Sequence, residues 1–179
     1  MADDLIPCGG TPLASPIDAV IDTNVLLDWL VFDDPDGLAV GAAVRAGTLR
    51  WLLTPAMHEE ATDVFGRLGR LPELQRWRHR EAHAHAMLAT WATPVPAPDP
   101  LPFAQRVRCT DPDDQVFVDL ALARRVPWLI SRDRAVLKLA KRMGRWGVTV
   151  LTPPRWCALQ ASANAAAVAP STPSTPSTP

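Results

Sequence analysis

Short apolar runs that alternate with longer amphipathic segments constrain the fold of this chain more than any other feature of its sequence. The runs at 19–21, 49–53, 127–131 and 148–151 have the length of strands. Segments of helical length lie between them, among them a polar helix expected at about 72–91 and a helix expected at 134–143. Such alternation predicts a parallel sheet that is covered by helices on both faces. We therefore expect an α/β fold with a central parallel sheet in three layers, α/β/α.

Composition sets the expected limits of the folded domain. Residues 1–16 are rich in Gly, Pro and small side chains and are predicted to form a flexible leader. From 161 the chain is Ala-rich, and it finishes in three copies of Ser-Thr-Pro over 171–179. We expect 161–179 to be a disordered tail, because this composition cannot bury apolar surface. The domain is then expected over 17–160, a length typical of a single domain.

Charge is distributed unevenly, although the net charge is only −1. Residues 1–63 contain 11 acidic residues and 2 arginines, whereas 64–145 contain 15 basic and 8 acidic residues. An acidic pocket beside a surface that attracts phosphates would account for this separation. A solvated surface on which the charges happen to segregate accounts for it equally well.

Cysteine and apolar content argue against several classes of protein. Cys8, Cys109 and Cys157 are widely spaced and form no CxxC pair, which argues against a zinc site or a disulfide framework. No basic segment precedes an apolar stretch at the N-terminus, and no run of 18 apolar residues occurs. We therefore expect a cytoplasmic protein with no membrane association.

Acidic residues follow two of the predicted strands. Asp22 begins the triplet Asp22-Thr23-Asn24 after the first apolar run, and Asp133 comes shortly after the run that ends at Ser131. Ligand sites of parallel sheets lie beyond the carboxyl ends of the strands, which would bring both acids together. Both are also good helix N-caps. Capping needs only one such residue, so the triplet favours a functional role for Asp22, whereas capping and function explain Asp133 equally well.

Two further acidic residues lie on predicted helices. On a helical wheel Glu60 falls at the border of the apolar face of the helix at 55–68, whereas Glu59 falls towards solvent. Asp114 belongs to the segment 111–114, in which acids and a proline make a well-formed helix start without any further role. Taken singly, either acid is more often structural. The occurrence of all four acidic motifs in order favours a shared site.

Four converging carboxylates would repel one another unless something compensates their charge. The usual compensation is a hard divalent cation such as Mg²⁺ or Mn²⁺, which prefers oxygen ligands. Such a cation can activate water and stabilise the oxygens of a phosphodiester during hydrolysis. The sequence therefore predicts metal-assisted phosphodiester cleavage, with four acids both as metal ligands and as catalytic residues: Asp22, Glu60, Asp114 and Asp133.

Four segments resemble the motifs of PIN-domain ribonucleases. They are 19–26 (AVIDTNVL), 55–60 (PAMHEE), 111–117 (DPDDQVF) and 129–133 (LISRD). The resemblance spans about 18–155 and is greatest to VapC-like toxin components of bacterial toxin–antitoxin pairs. It departs from the family at Ala61, where relatives usually carry a larger residue, and at Asp113, which crowds the third position together with Asp111.

The resemblance implies a Rossmann-like three-layer α/β/α PIN domain that cleaves single-stranded or structured RNA with Mg²⁺ or Mn²⁺. The implied metal ligands are Asp22, Glu60, Asp114 and Asp133, and the supporting groups are Asn24, Ser131 and Asp111. Basic residues after the fourth motif could hold the RNA backbone or could equally be the solvated face of a terminal helix: Arg132, Arg134, Lys138 and Lys141.

The expected partners are an RNA substrate, a cognate antitoxin protein and a second copy of the chain. Seven tryptophans are more than one small core readily hides, and Trp is enriched at the centres of interfaces, which favours a homodimer. The competing interpretation is a monomer in which these rings pack under the irregular 70–105 region.

Two other functional classes compete with the nuclease. One is a non-catalytic PIN-like module that binds RNA or protein. The other is a phosphatase that uses a strand-end Asp as its nucleophile, as in haloacid-dehalogenase-like enzymes. That class requires a second Asp two residues after the first, where this chain has Asn24, and a Lys ahead of the last acid, whereas both lysines come after Asp133.

Overall fold

A single parallel sheet organises the computed structural model, which describes residues 15–168. Its strands are β1 (Ile17–Ile21), β2 (Leu49–Leu53), β3 (Thr93–Pro94), β4 (Trp128–Ile130) and β5 (Thr149–Leu151). They lie side by side in the order β3-β2-β1-β4-β5, and every pairing is parallel. The α/β class that the alternation predicts is confirmed.

Helices connect the strands along the part of the chain that the structure describes. They are α1 (Thr23–Leu30), α2 (Pro35–Arg45), α3 (Pro55–Arg70), α4 (Glu81–Trp91), α5 (Gln115–Arg124), α6 (Arg134–Leu137), α7 (Ala140–Gly144) and α8 (Pro153–Val168). Two 3₁₀ helices cover Pro72–Arg80 and Phe103–Gln105. None of the described helices has the length and apolarity that crossing a bilayer would require.

Three segments differ from the sequence-based expectation. The polar helix expected at about 72–91 is a 3₁₀ helix followed by α4, and no residue of Pro72–Arg80 is buried, so packing does not favour regular α-helical pitch there. The helix expected at 134–143 is divided into α6 and α7. The helix α8 extends to Val168, beyond the expected boundary at 160, because alanine favours helix wherever packing does not oppose it. The Ser-Thr-Pro repeats and nearly all of the expected leader lie outside the described residues.

The core lies on both sides of β1, the central strand. Ala19, Val20 and Ile21 are completely buried, as expected of a parallel strand with helices on both faces. All seven tryptophans contribute to this core: three are buried and four are half-buried and packed against it. The tryptophan content is therefore explained within one copy of the chain, and it no longer supports self-association.

Candidate acidic active site

Asp22 lies at the carboxyl end of the central strand, next to the end of β4. Ile21 and Ile130 are partners in the parallel register, so the residues that follow them meet. The hydroxyl of Ser131 donates a hydrogen bond to Asp22 Oδ2, and Asn24 Nδ2 donates to the same oxygen at 2.8 Å. Burial raises the pKa of Asp22, although these hydrogen bonds act in the opposite direction. Asp22 is only 3% exposed, so its charge is costly unless it is compensated.

Asp133 lies at the start of α6 and has a capping role. Its Oδ1 accepts hydrogen bonds from the backbone N–H groups of Ala135 and Val136, the latter at 3.4 Å. Its own N–H donates to Ser131 Oγ at 2.9 Å. The negative charge of Asp133 also contributes to raising the pKa of Asp22. The capping explanation for Asp133 is thus correct, and the residue also belongs to the acidic cluster.

Asp114 precedes α5 but does not cap it. Its side chain makes no capping hydrogen bond, and its Oδ2 is buried without a hydrogen-bond partner among the residues that the structure describes. Burial raises the pKa of Asp114 to about 7, with a further contribution from the charges of Asp22, Asp133 and Asp111. A buried carboxylate oxygen without a partner costs free energy, so this position has no evident role in stabilising the fold.

Glu60 lies on α3 and faces the same acidic cluster. It is half-buried whereas Glu59 is exposed, which confirms the assignment from the helical wheel. Burial raises the pKa of Glu60, and repulsion by the carboxylates of Asp22 and Asp113 raises it further. Asp22 therefore interacts electrostatically with Glu60, Asp114 and Asp133, which brings the four expected acids into one site.

The supporting residues are placed as follows. Asn24 binds Asp22 through its amide nitrogen and accepts a hydrogen bond from the backbone N–H of Arg132 at 3.1 Å. Asp111 is exposed and accepts a hydrogen bond from the N–H of Asp113 at 3.0 Å, which forms the turn before α5. Asn24 thus links the ends of β1 and β4, while Asp111 shapes the approach to Asp114.

The acidic cluster fits a hard cation in its donor atoms. All four candidate ligands offer carboxylate oxygens, and Asp114 Oδ2 is a buried oxygen that lacks a partner in the described chain. Between residues 15 and 168, however, no three Asp, Glu, His or Cys side chains are already arranged to hold a metal ion. Asp22 Oδ2 is occupied by Ser131 and Asn24, and Asp133 Oδ1 by the start of α6.

Arg132 is held by two acidic residues instead of projecting freely into solvent. Its guanidinium forms ion pairs with Asp28 on α1 and with Asp34 at the start of α2, the latter at 2.8 Å. These two ion pairs compete with any contact between Arg132 and RNA, which stays a prediction. Arg134, Lys138 and Lys141 are exposed and take part in no ion pair within the described range.

Sequence reasoning missed the partners of Arg132 and the role of Gln115. Asp28 follows Asn24 by four residues on α1, so both lie on one helical face, and that spacing was a usable signal. The sequence around Asp34 indicated a helix N-cap, but it did not indicate an ion pair with Arg132. Gln115 forms two hydrogen bonds with the loop before α5 and a third with Asp119 on α5, and nothing in its sequence context indicated this.

A parallel α/β sheet with four carboxylates gathered at its central carboxyl edge defines the class of this protein. The family model described as PIN domain matches residues 18–135, and the chain belongs to the PIN domain family. A solved structure, the crystal structure of VapBC2 from Rickettsia felis bound to a DNA fragment from their promoter, is similar with a TM-score of 0.51 and 7% identity. The match covers 76% of this chain and 98% of that chain, and at this identity it shows the fold alone. No curated protein sequence matches the chain.

Proposed function

We propose that this chain is an endoribonuclease that hydrolyses phosphodiester bonds with Mg²⁺ or Mn²⁺ at the edge marked by Asp22. The observation that carries the proposal is Asp114, whose buried oxygen lacks a partner in the described residues and whose pKa is raised to about 7 beside other carboxylates. Such a cluster is costly as a purely structural feature, and a bound cation would offset that cost. Membership of a family whose members are typically nucleases supports the same conclusion.

The residues that would hold the cation are Asp22, Glu60, Asp114 and Asp133. When bound, the cation supplies a Lewis acid for the phosphoryl oxygens and a water of lowered pKa. Ser131 and Asn24 fix the orientation of Asp22 through hydrogen bonds to its Oδ2. Asp114 would hold a proton part of the time at neutral pH and release it when positive charge arrives.

Arg132 is proposed as a positioning residue and not as an RNA contact. Its ion pairs with Asp28 and Asp34 join the end of β4 to α1 and α2, and its N–H fixes Asn24. Arg134, Lys138 and Lys141 remain the proposed contacts to the RNA backbone on this side, because they are exposed and follow the site directly.

A matched pair of variants on α3 tests the proposal. We expect Glu60→Gln to reduce cleavage of a panel of labelled RNAs far more than Glu59→Gln, since only Glu60 faces the cluster. Cleavage by the wild type should require Mg²⁺ or Mn²⁺ and stop with chelator. Equal effects of the two substitutions, or undiminished cleavage in chelator, would contradict the proposal.

A non-catalytic module that binds RNA or protein is the second candidate. The observation in its favour is that no group of metal ligands is already arranged within residues 15–168. The same assay separates the two candidates, because this module would bind RNA and leave it intact with every cation.

We further propose that the protein is a toxin that a small antitoxin holds inactive. The support is the similarity to a solved VapBC2 assembly, together with the charge of the site. A pocket of carboxylates would attract an Arg or Lys of a partner as well as a metal ion. Copurification with the product of a small neighbouring gene tests this, and a failure to copurify would count against it. Self-association stays a prediction, and light scattering on the purified chain decides it.

A further inference from the structure

An open cavity of about 520 Å³ lies beside the acidic site. It is formed by the chain between Pro100 and Cys109 together with the start of α5, and its lining includes Pro112, two residues before Asp114. Its volume falls within the range of roughly 300–1,000 Å³ that is usual for small-ligand sites. The cavity is therefore large enough for a nucleotide, and two of its lining residues, Pro112 and Gln115, lie on either side of Asp114 in the chain.

Gln115 fixes one wall of this cavity to α5. Its Oε1 accepts a hydrogen bond from the backbone N–H of Cys109 at 2.8 Å, and its Nε2 donates to the carbonyl oxygen of Val107 at 3.0 Å and to Asp119 Oδ1 at 2.8 Å. Because Gln115 directly follows Asp114, these bonds fix the position of the loop relative to the acidic site. The cavity is a built feature and not an accident of a loose loop.

Two arginines line the cavity, together with one acidic residue, Asp119, whose carboxylate accepts the hydrogen bond from Gln115. Val107 is buried, and Arg106 and Arg108 on either side of it are exposed and line the cavity. Arg106 Nε donates to the carbonyl oxygen of Leu101 at 2.7 Å, which orients its guanidinium. Neither arginine has an ion-pair partner in the described part of the chain. Both are thus free to bind phosphate groups.

Phe103 extends into solvent from the same segment of chain, although it does not line the cavity itself. It is 88% exposed, the most exposed of the large apolar residues described, and it lies between Leu101 and Arg106 in a 3₁₀ helix of one turn. The backbone N–H of Arg106 donates to the carbonyl oxygen of Phe103 at 3.3 Å, so the ring and the unpaired arginines belong to one short segment. An exposed aromatic ring and unpaired arginines are the combination with which proteins bind unpaired nucleotides, by stacking on the base and attracting the backbone.

We propose that Phe103, Arg106 and Arg108 form a binding site for single-stranded RNA next to the acidic cluster. A base stacks on the ring of Phe103, and the adjoining phosphates bind the two guanidinium groups. Base-paired RNA fits poorly, because its bases are already stacked on each other. The inference rests on the proposed function only for the direction in which the RNA runs, which is towards Asp114. Binding of the RNA itself requires no cleavage.

Fluorescence anisotropy of the full chain with a labelled oligoadenylate, in chelator, tests the site without cleavage. We expect Phe103→Ala to weaken binding about tenfold, in line with the loss of one stacked base. Phe103→Trp should bind at least as tightly as the wild type, because it keeps an aromatic face. Leu159→Ala on α8 is the matched control for loss of an exposed apolar side chain, and it should change nothing.

The arginines have a separate readout. Arg106→Ala and Arg108→Ala should each lower the slope of log affinity against log salt by about 0.7, the value for one phosphate contact to a single strand. Arg155→Ala, an exposed arginine on α8, should leave the slope unchanged.

The inference is overturned if Phe103→Ala binds oligoadenylate as tightly as the wild type, or if a fully paired RNA binds better than the single strand. Cleavage measured in parallel separates this result from failure of the proposed function. If the wild type binds through Phe103 but never cleaves, the binding site stands and the nuclease proposal falls. If the wild type cleaves RNA, and the alanine variants of Phe103, Arg106 and Arg108 all bind RNA normally, the nuclease proposal stands and the binding site falls.

Discussion

Replacing Asp114 by asparagine should stabilise the metal-free protein, and should do so more at pH 8 than at pH 5. The pKa of Asp114 is raised from 3.8 to about 7 in the fold, mainly by burial. The neutral carboxyl therefore contributes stability that is fully present below pH 3.8 and is lost as the pH rises through about 7. Asparagine resembles the neutral acid, so it removes this loss.

The magnitude follows from the two pKa values. A difference of this size corresponds to about 4 kcal/mol in the free energy of unfolding at high pH. Asp114 is partly exposed, however, and screening by solvent reduces the effect to about 1–2 kcal/mol. For a domain of this size we expect a rise in Tm of roughly 2–8 °C at pH 8, and less than half of that rise at pH 5, because the effect grows between the two pKa values.

Thermal denaturation followed by circular dichroism in EDTA, at pH 5 and pH 8, measures this effect. Asp63→Asn, an exposed acid on α3, is the control and should show no such pH dependence. Added Mg²⁺ or Mn²⁺ at pH 8 should raise the Tm of the wild type more than that of Asp114→Asn. An equal rise in the Tm of Asp114→Asn at both pH values, or a fall in its Tm at pH 8, would refute the argument that burial and repulsion make this carboxylate costly.

Two further predictions concern the surroundings of the site. Arg132→Ala should lower stability by about 1 kcal/mol, because Asp28 and Asp34 lose their partner, and should reduce kcat for RNA cleavage with KM unchanged. A raised KM with normal kcat would indicate that Arg132 contacts RNA instead. Truncation after Gln160 should leave Tm and cleavage nearly unchanged in thermal melts and cleavage assays, since 161–163 are exposed and the buried anchor of α8, Trp156, is retained. A large loss in either assay would show that the end of the chain packs on the domain.

The parts of the site that local pattern controls were predictable from the sequence. Asp22 follows a buried strand, and the position of Glu60 follows from the period of one helix, so both could be placed without knowing the fold in detail. The sheet class followed for the same reason, because strand and helix lengths are properties of short segments.

Capping at Asp114 and Asp133 could not be predicted reliably, because it depends on backbone angles. Asp133 has the extended backbone of an N-cap, with ψ of 132°, which directs its side chain towards the helix N–H groups. Asp114 has helical angles, with ψ of −10°, and its side chain caps nothing. The sequence favoured a structural role more strongly for Asp114 than for Asp133, which is the reverse of the geometry.

The ion pairs of Arg132 depend on tertiary structure. Its partners Asp28 and Asp34 are about a hundred residues away in the chain, and only the parallel pairing of β1 with β4 brings them together. The same holds for the cavity at Arg106 and Arg108, which exists because Gln115 binds the preceding loop. Neither contact has a periodic signature in the sequence.

The central claim is that the acidic cluster cleaves RNA with a bound cation, and cleavage by Asp22→Asn tests it most directly. Asp22 lies at the centre of the cluster and is buried, so the substitution removes one ligand charge and relieves repulsion with little change in volume. With saturating Mn²⁺ and a fold confirmed by circular dichroism, the account predicts that most cleavage of single-stranded RNA is lost. Cleavage at the wild-type rate would contradict it.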